Sequence, residues 1–188
     1  MAARRIAVLI GSLRRGSYSR MLAEALMEMA PDFVQMVKVD IGSLPLYNQD
    51  LDDDGTPPAS WTAYRDTMRP FDAVLFVLPE YNRSVPGVLK NALDVGSRPF
   101  GKSVWSRKPG GVISISSGAL SGFGANHHLR QTLVSLNVPV MQQPEAYIGN
   151  IATLFSSEGR LVNAGTEEFL QKFMKAFITW VDKNAKDQ

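Results

Sequence analysis

Leu78-Pro79-Glu80-Tyr81-Asn82-Arg83-Ser84-Val85-Pro86-Gly87 is the stretch from which the fold is read. It leaves an unbroken apolar run, Ala73 to Leu78, which suits a strand buried on both faces of a parallel sheet. The run breaks on a proline and passes through a short polar turn carrying a tyrosine. A helix is predicted to open near Val85-Pro86, with Ser84 as N-cap and Pro86 in the first turn, and to run to Val95 with a Lys90–Asp94 pair four residues apart. Strand, tight loop and helix in that order form one repeat of an alternating α/β chain.

The same alternation extends outward on both sides. Ile6 to Ile10 reads as the first strand, Ser17 to Met29 as a helix stopped by Pro31, and Val34 to Val39 as the second strand. Ile41 to Ser60 is irregular, with Pro45, Pro57-Pro58 and an Asp52-Asp53-Asp54-Gly55 sequence whose plainest reading is a solvated turn. Ser60 to Met68 is predicted helical. Pro99 to Lys108 reads as a basic, flexible stretch carrying Trp105. Gly111 to Ser116 is the fourth strand, Asn126 to Leu136 a helix, and Val138 to Met141 the start of a short fifth strand. Ile151 to Gly165 reads as a turn between short extended pieces, and Glu167 to Val181 as a final amphipathic helix. The expected fold is therefore α/β: a flavodoxin-like, doubly wound five-stranded parallel sheet of order 2-1-3-4-5 with helices on both faces, residues 1–188 forming a single domain.

Composition narrows the chemistry. The 188 residues carry a net charge of +2 and no cysteine, so disulfides, thiolate catalysis and Cys-ligated metals are excluded. The only histidines, His127 and His128, are adjacent and too few for a His-rich metal site; an interface or solvated pair is the simpler reading. No basic run is interleaved with aromatics, so nucleic acid is not an expected partner. No run is long enough to span a bilayer, and Arg4-Arg5 before a short apolar segment does not make a signal sequence; a cytoplasmic setting is the expectation.

Gly11-Ser12-Leu13-Arg14-Arg15-Gly16-Ser17-Tyr18-Ser19 follows the first strand and leads into a helix. Free N–H groups at a helix start favour an anion, and serine hydroxyls with a guanidinium can complete a shell around a terminal phosphate. Gly11 and Gly16 have the spacing of a nucleotide-triphosphate loop, but Ser17 stands where its lysine belongs. Leu13 stands where a dinucleotide fingerprint needs its middle glycine. Asp40, ending the second strand, is more simply a turn or cap residue than a ribose-binding acid.

In the order 2-1-3-4-5, ligands bind at the carboxyl ends of strands one and three, where the chain winds away in opposite directions. The loop after strand one suits a phosphate. The turn after strand three, with Pro79, Glu80, Tyr81 and Asn82, can lay main chain against a planar ring. Ser116, Ser117 and Gly118 after strand four are small enough to hold the ring's far edge. A terminal phosphate, a spacer and a flat heterocycle describe FMN.

At these residues the chain resembles the NADPH-dependent FMN reductase family, in its quinone and chromate reductase branch. The matching stretches are Gly11 to Ser17, Pro79 to Asp94 and His128 to Gln131. The resemblance implies noncovalent FMN, with NADPH or NADH as co-substrate. It also implies ping-pong two-electron reduction of quinones and other small-molecule acceptors such as chromate, ferricyanide, azo compounds or free flavin. It places Gly11, Ser12, Arg14, Ser17 and Ser19 at the FMN phosphate, Pro79 to Asn82 at the isoalloxazine, and Ser116 to Gly118 at its outer edge. The hydride passes to the flavin N5, so no catalytic side chain is expected. A homo-oligomer, dimer or tetramer, is implied, and Gly124-Ala125-Asn126-His127 departs from relatives that carry arginine and tyrosine there. For the contact surface the sequence offers the part of the Val88, Leu89, Ala92, Val95 stripe not covering the sheet, with the Asn126–Leu136 helix. Lys102 to Lys108, with Trp105, is expected near the flavin mouth, drawing anionic acceptors. The rival readings are a flavodoxin-type electron carrier and a flavin-binding regulatory protein.

Overall fold

The computed structural model describes residues 3–185, so both ends of the 1–188 range lie outside the described residues. Five parallel strands, β1 (Arg4–Ile10), β2 (Val34–Lys38), β3 (Ala73–Pro79), β4 (Gly110–Ile115) and β5 (Ala146–Ile148), lie in the order β2-β1-β3-β4-β5. This is the flavodoxin-like arrangement expected from the alternation. The helices are α1 (Tyr18–Glu28), α2 (Gln49–Asp53), α3 (Ala59–Met68), α4 (Gly87–Gly96), α5 (Phe123–Ser135) and α6 (Ala164–Asn184), with a 3-10 turn at Ile151–Thr153. Among the described residues no helix is long and apolar enough to cross a membrane.

Two cores sandwich the sheet, and strand periodicity sorts residues between them. Ile6, Val8 and Ile10 face a core completed by Leu22 and Leu26 of α1 and by Phe173 and Phe177 of α6. Ala7 and Leu9 face the other, filled by Trp61, Leu89, Ala92, Trp105, Leu129 and Leu133 from the α3, α4 and α5 side. Leu75 and Val77 join the first core, Val74, Phe76 and Leu78 the second. That is why β3 reads as a continuous apolar run instead of an alternating one.

Four local expectations are corrected. Val138–Met141 pairs with the start of β4 through a single parallel bridge, Gly110–Val140, with hydrogen bonds of 3.1 and 2.8 Å, but the fifth strand itself is Ala146–Ile148, further along β4. Helix α4 begins at Gly87 with Pro86 as N-cap, and the Ser84 hydroxyl is engaged elsewhere. The solvated-turn reading holds for the exposed Asp53, Asp54 and Gly55 but not for Asp52. Asn48 caps a short helix α2, and Asp52 forms a two-bond ion pair with Arg65 of α3 at 2.7 and 2.8 Å, both side chains 4% exposed. The Arg65 guanidinium holds the Asp52 carboxyl below the usual aspartate range. The Trp61 indole N–H, donating to the Pro45 carbonyl, ties the same excursion down.

The basic stretch is the fourth. Trp105 is fully buried, its indole N–H donating to the Leu93 carbonyl and its ring filling the space left by Gly96, where a Cβ would stand 2.7 Å from it. The Lys108 ammonium is buried against the Met68 and Arg69 carbonyls at the end of α3, and burial pulls it down to about 8. This segment leads into the amino end of β4, a strand's length from the loops that follow the carboxyl ends. It does not border a site at those ends within the same chain.

Candidate active site

The loops after β1, β3 and β4 converge on one cavity of about 230 Å³ that opens to solvent. Its lining includes Ser12, Arg14, Ser17, Ser19, Pro79, Glu80, Tyr81, Ser116 and Ser117. Nine of the twelve residues expected at the cofactor are thus brought together. Gly11, Asn82 and Gly118 are not in the lining. Tyr18, Ile115 and Ile151 are, and sequence reasoning did not name them. Tyr18 lay within the phosphate-type loop and was legible as a neighbour of Ser17 and Ser19. Ile151 gave no signal, because it arrives from beyond β5.

Gly11 shapes the floor without lining it. A Cβ there would stand 2.9 Å from the Leu78 Cβ and 3.3 Å from its Cα, so only glycine lets the ends of β1 and β3 approach this closely. Beyond it, Ser12, Ser17 and Ser19 are 4, 3 and 1% exposed. Ser17 sits at the N-cap of α1, yet its side chain makes no cap bond, and the first turn of α1 carries no acidic residue. Helix-start N–H groups and a buried hydroxyl therefore remain uncommitted beside the exposed Arg14. That donor set fits a bound phosphate.

The turn after β3 is built differently. Tyr81 and Ser84 exchange two backbone hydrogen bonds, 3.1 and 3.0 Å, and the two residues between them have positive φ, Asn82 at 50° and Arg83 at 64°. This is the geometry of a two-residue hairpin of the primed type. It leaves Tyr81 44% exposed at the cavity. The Glu80 carboxylate is turned away from solvent: it accepts from the Ala125 N–H at 3.0 Å and from Arg83 Nη1 at 2.7 Å. The Ser84 hydroxyl meets His128 Nδ1 at 2.8 Å.

The serine loop after β4 folds on itself. Ser116 Oγ donates to the Gly118 carbonyl at 2.8 Å, and Gly118 faces this bond instead of the cavity. Gly149, after β5, makes room for the loop: a Cβ there would stand 2.5 Å from Ser121 Oγ. His127 lies beside this loop, its Nε2 2.9 Å from the Tyr147 hydroxyl and its ring 4.3 Å from that of Phe123. Burial, with Glu145 as a hydrogen-bond partner, pushes the Tyr147 phenol up to about 12. Asp40 closes a local turn by accepting from the Gly42 N–H at 2.9 Å, as its cap reading expected.

A wider groove of about 730 Å³ runs along the flanks of α4 and α5, between Lys90, Asp94, Phe100, His128 and Gln131. It follows helix sides and not the carboxyl ends of the strands, although Lys90, Arg98, His128 and Gln131 also line it.

Comparison with known proteins identifies the family. The chain is 56% identical over 179 residues to a quinone reductase of Pseudomonas putida, covering 95% of both chains. It is 46% identical over 177 residues to a 2-hydroxy-1,4-benzoquinone reductase of a Burkholderia species, covering 94% of this chain and 96% of the relative. Among solved structures it is similar to FerB, a flavoenzyme NAD(P)H:(acceptor) oxidoreductase of Paracoccus denitrificans, with 37% identity and a TM-score of 0.90 over 97% of this chain and all of that one. The sequence profile described as NADPH-dependent FMN reductase matches residues 4–153. Because that span runs from the start of β1 past Ile151 at the cavity, the likeness takes in the site as well as the scaffold, and the chain belongs to the NADPH-dependent FMN reductase family.

Proposed function

We propose that the protein is an FMN-dependent NAD(P)H oxidoreductase that reduces quinones, with NAD(P)H and acceptor using one open cavity in turn. The observation that carries this reading is the convergence of Ser12, Arg14, Ser17 and Ser19, with the Ser17 hydroxyl left without a cap bond, and the Pro79–Tyr81 turn at the switch point of the sheet. Arg14 and the start of α1 bind the phosphate, and the three serine hydroxyls orient it. The main chain of Pro79 to Asn82 meets the isoalloxazine, and Ser116 to Gly118 meet its outer edge. Bound FMN would supply the two-electron redox chemistry, and the protein supplies position and electrostatics. The 1–188 chain works as one FMN-binding domain.

No cluster of charged side chains on the cavity reads one acceptor's substituents, so several flat quinones should serve, with free flavin, azo compounds, ferricyanide and chromate as lesser acceptors. The Lys102–Lys108 stretch does not line the cavity of its own chain. The reading includes a homo-oligomer, dimer or tetramer, formed through the α4–α5 flank. Its support is the groove there and the exposure of Phe100 at 91% and Val134 at 77%. A cytoplasmic site of action rests on the NAD(P)H that the reaction consumes.

The test is the absorption spectrum of the purified protein, then anaerobic titration with NADPH. A yellow protein that releases FMN on heating, is bleached by one equivalent of NADPH and is reoxidised by benzoquinone supports the reading. Release of FAD, or a reconstituted flavin that NADPH does not bleach, sinks it, the second outcome favouring an electron carrier or a regulatory protein. Parallel double-reciprocal lines are expected for NADPH and quinone. Light scattering at micromolar concentration tests the oligomer, and a monomer rejects it.

A further inference from the structure

We infer that Glu80 is the positioning residue of the ring-side turn: its carboxylate locks the turn after β3 onto the start of α5, so that this half of the cavity is set before any cofactor arrives. The inference rests on the FMN reading above for its consequence, though not for its geometry.

Helix α5 starts without a cap of its own. Its N-cap is Gly122, which has no side chain, and its first turn carries no acidic residue. A helix start in that state has unsatisfied N–H groups and an uncompensated positive end. Glu80 supplies both missing elements from another element: its Oε2 accepts from the Ala125 N–H at 3.0 Å, and it brings the negative charge. The side chain is 8% exposed, so this bond is not shared freely with water.

The other carboxylate oxygen restrains the turn itself. Arg83 holds a φ of 64°, a conformation costly for a residue with a Cβ. Its guanidinium reaches back to Glu80 Oε1 at 2.7 Å. One turn further along α5, His128 meets Ser84, so the hairpin touches the helix at two successive points on one face. Gly124 leaves the space for this contact. A Cβ there would stand 2.9 Å from Glu80 Oε2 and 3.1 Å from the Arg83 carbonyl oxygen. With its charge directed to the helix start and to Arg83, Glu80 contributes to the cavity through the placement of Pro79 and Tyr81 more than through its own side chain.

Three variants test this: Glu80→Ala, Glu80→Gln and Gly124→Ala. Each is read by FMN dissociation constant, bound-flavin absorption spectrum and amide hydrogen exchange of the apoprotein. Glu80→Ala should speed exchange at the Ala125 amide and weaken FMN about tenfold or more, as expected when a charged hydrogen-bond partner is removed. Glu80→Gln keeps an acceptor for Ala125 and should stay within about threefold of the parent, since a neutral cap still satisfies the amide. Gly124→Ala presses a Cβ against Glu80 Oε2 and the Arg83 carbonyl, so thermal stability should fall, offset in part by alanine's better helix propensity, while FMN binding weakens and the bound spectrum shifts.

FMN binding unchanged in both Glu80→Ala and Gly124→Ala, with faster exchange at Ala125, would reduce the contact to a helix cap and overturn the inference. Unchanged exchange at Ala125 in Glu80→Ala would overturn it at the level of geometry. A parent protein that binds no FMN would instead refute the proposed function, leaving the exchange measurement to judge the lock.

Discussion

The loop after β1 and the turn after β3 face the same cavity and are built on opposite plans. Around the first, polar groups are held in reserve: Ser17 caps nothing, Ser12 and Ser19 are buried, and Arg14 stands exposed. In the second, Glu80 and Ser84 are committed to α5, and Arg83 is tied to Glu80. A phosphate can complete the first loop's hydrogen bonding by itself, so the protein need not. A flat ring offers few strong partners and must be met by a surface already in place. The contrast implies that substitutions of the first loop's polar side chains change binding with little effect on folding, whereas substitutions under the second change both.

The largest effect should lie outside both loops and set the scale for pure stability. Asp52→Ala leaves the buried Arg65 charge without its partner and should cost about 3–5 kcal/mol in denaturant unfolding. The FMN dissociation constant of the folded fraction should stay at the parental value. The pH dependence has a definite sign. The folded Asp52 value is depressed below 3.8, so its stabilisation is present above that value and is lost as pH falls through the lower, folded one. The gap between parent and variant should therefore narrow in acid; a gap that widens there would contradict the ion-pair account.

Arg14→Ala comes next and tests the reserve side. FMN affinity should fall by ~1.5–3 kcal/mol, about tenfold to hundredfold, as a charge-assisted bond to phosphate is lost. The unfolding midpoint of the apoprotein should not move. A stability loss as large as the binding loss would erase the distinction between the two loops.

Gly11→Ala should act on both counts. Its Cβ meets the β-carbon and backbone of Leu78, neither of which can swing aside, so the strand ends must part. A cost of ~1–3 kcal/mol in unfolding is expected from such overpacking, together with weaker FMN binding as the floor shifts. The smallest effect belongs to Arg15→Ala. Arg15 is exposed and outside the cavity lining, and stability should stay within about 0.5 kcal/mol of the parent. FMN affinity matching that of Arg14→Ala would show that the two arginines share the phosphate.

Much of this was legible in the sequence. The strand order followed from alternating short apolar runs and helical periods, because a chain of that pattern has few ways to cover a parallel sheet. Nine cavity residues were legible because they lie immediately after strands, where α/β folds open. The failures have a common cause. Val138–Met141 has the composition of a strand, but Ala146–Ile148 takes the place beside β4, and pairing is decided by register and not by propensity. Asp52 looked like a turn residue because its partner, Arg65, is 13 positions away on another helix. Trp105 and Lys108 looked mobile because nothing local announces that Gly96 leaves a slot for an indole, or that the end of α3 needs a donor.

The sequence by itself determined the repeat of strand, loop and helix, the absence of thiol chemistry, and the two loop types from which an FMN site could be read. These are local properties: periodicity, residue type and spacing. The tertiary structure alone decided which polar groups stay available. Serine at a helix start reads the same whether or not it caps, yet Ser17 is uncommitted and Ser84 is engaged across 44 positions by His128. A glutamate before a turn reads as a ligand contact until a capless helix is seen beside it. Hydrogen-bonding capacity is limited, and long-range packing decides where it is used.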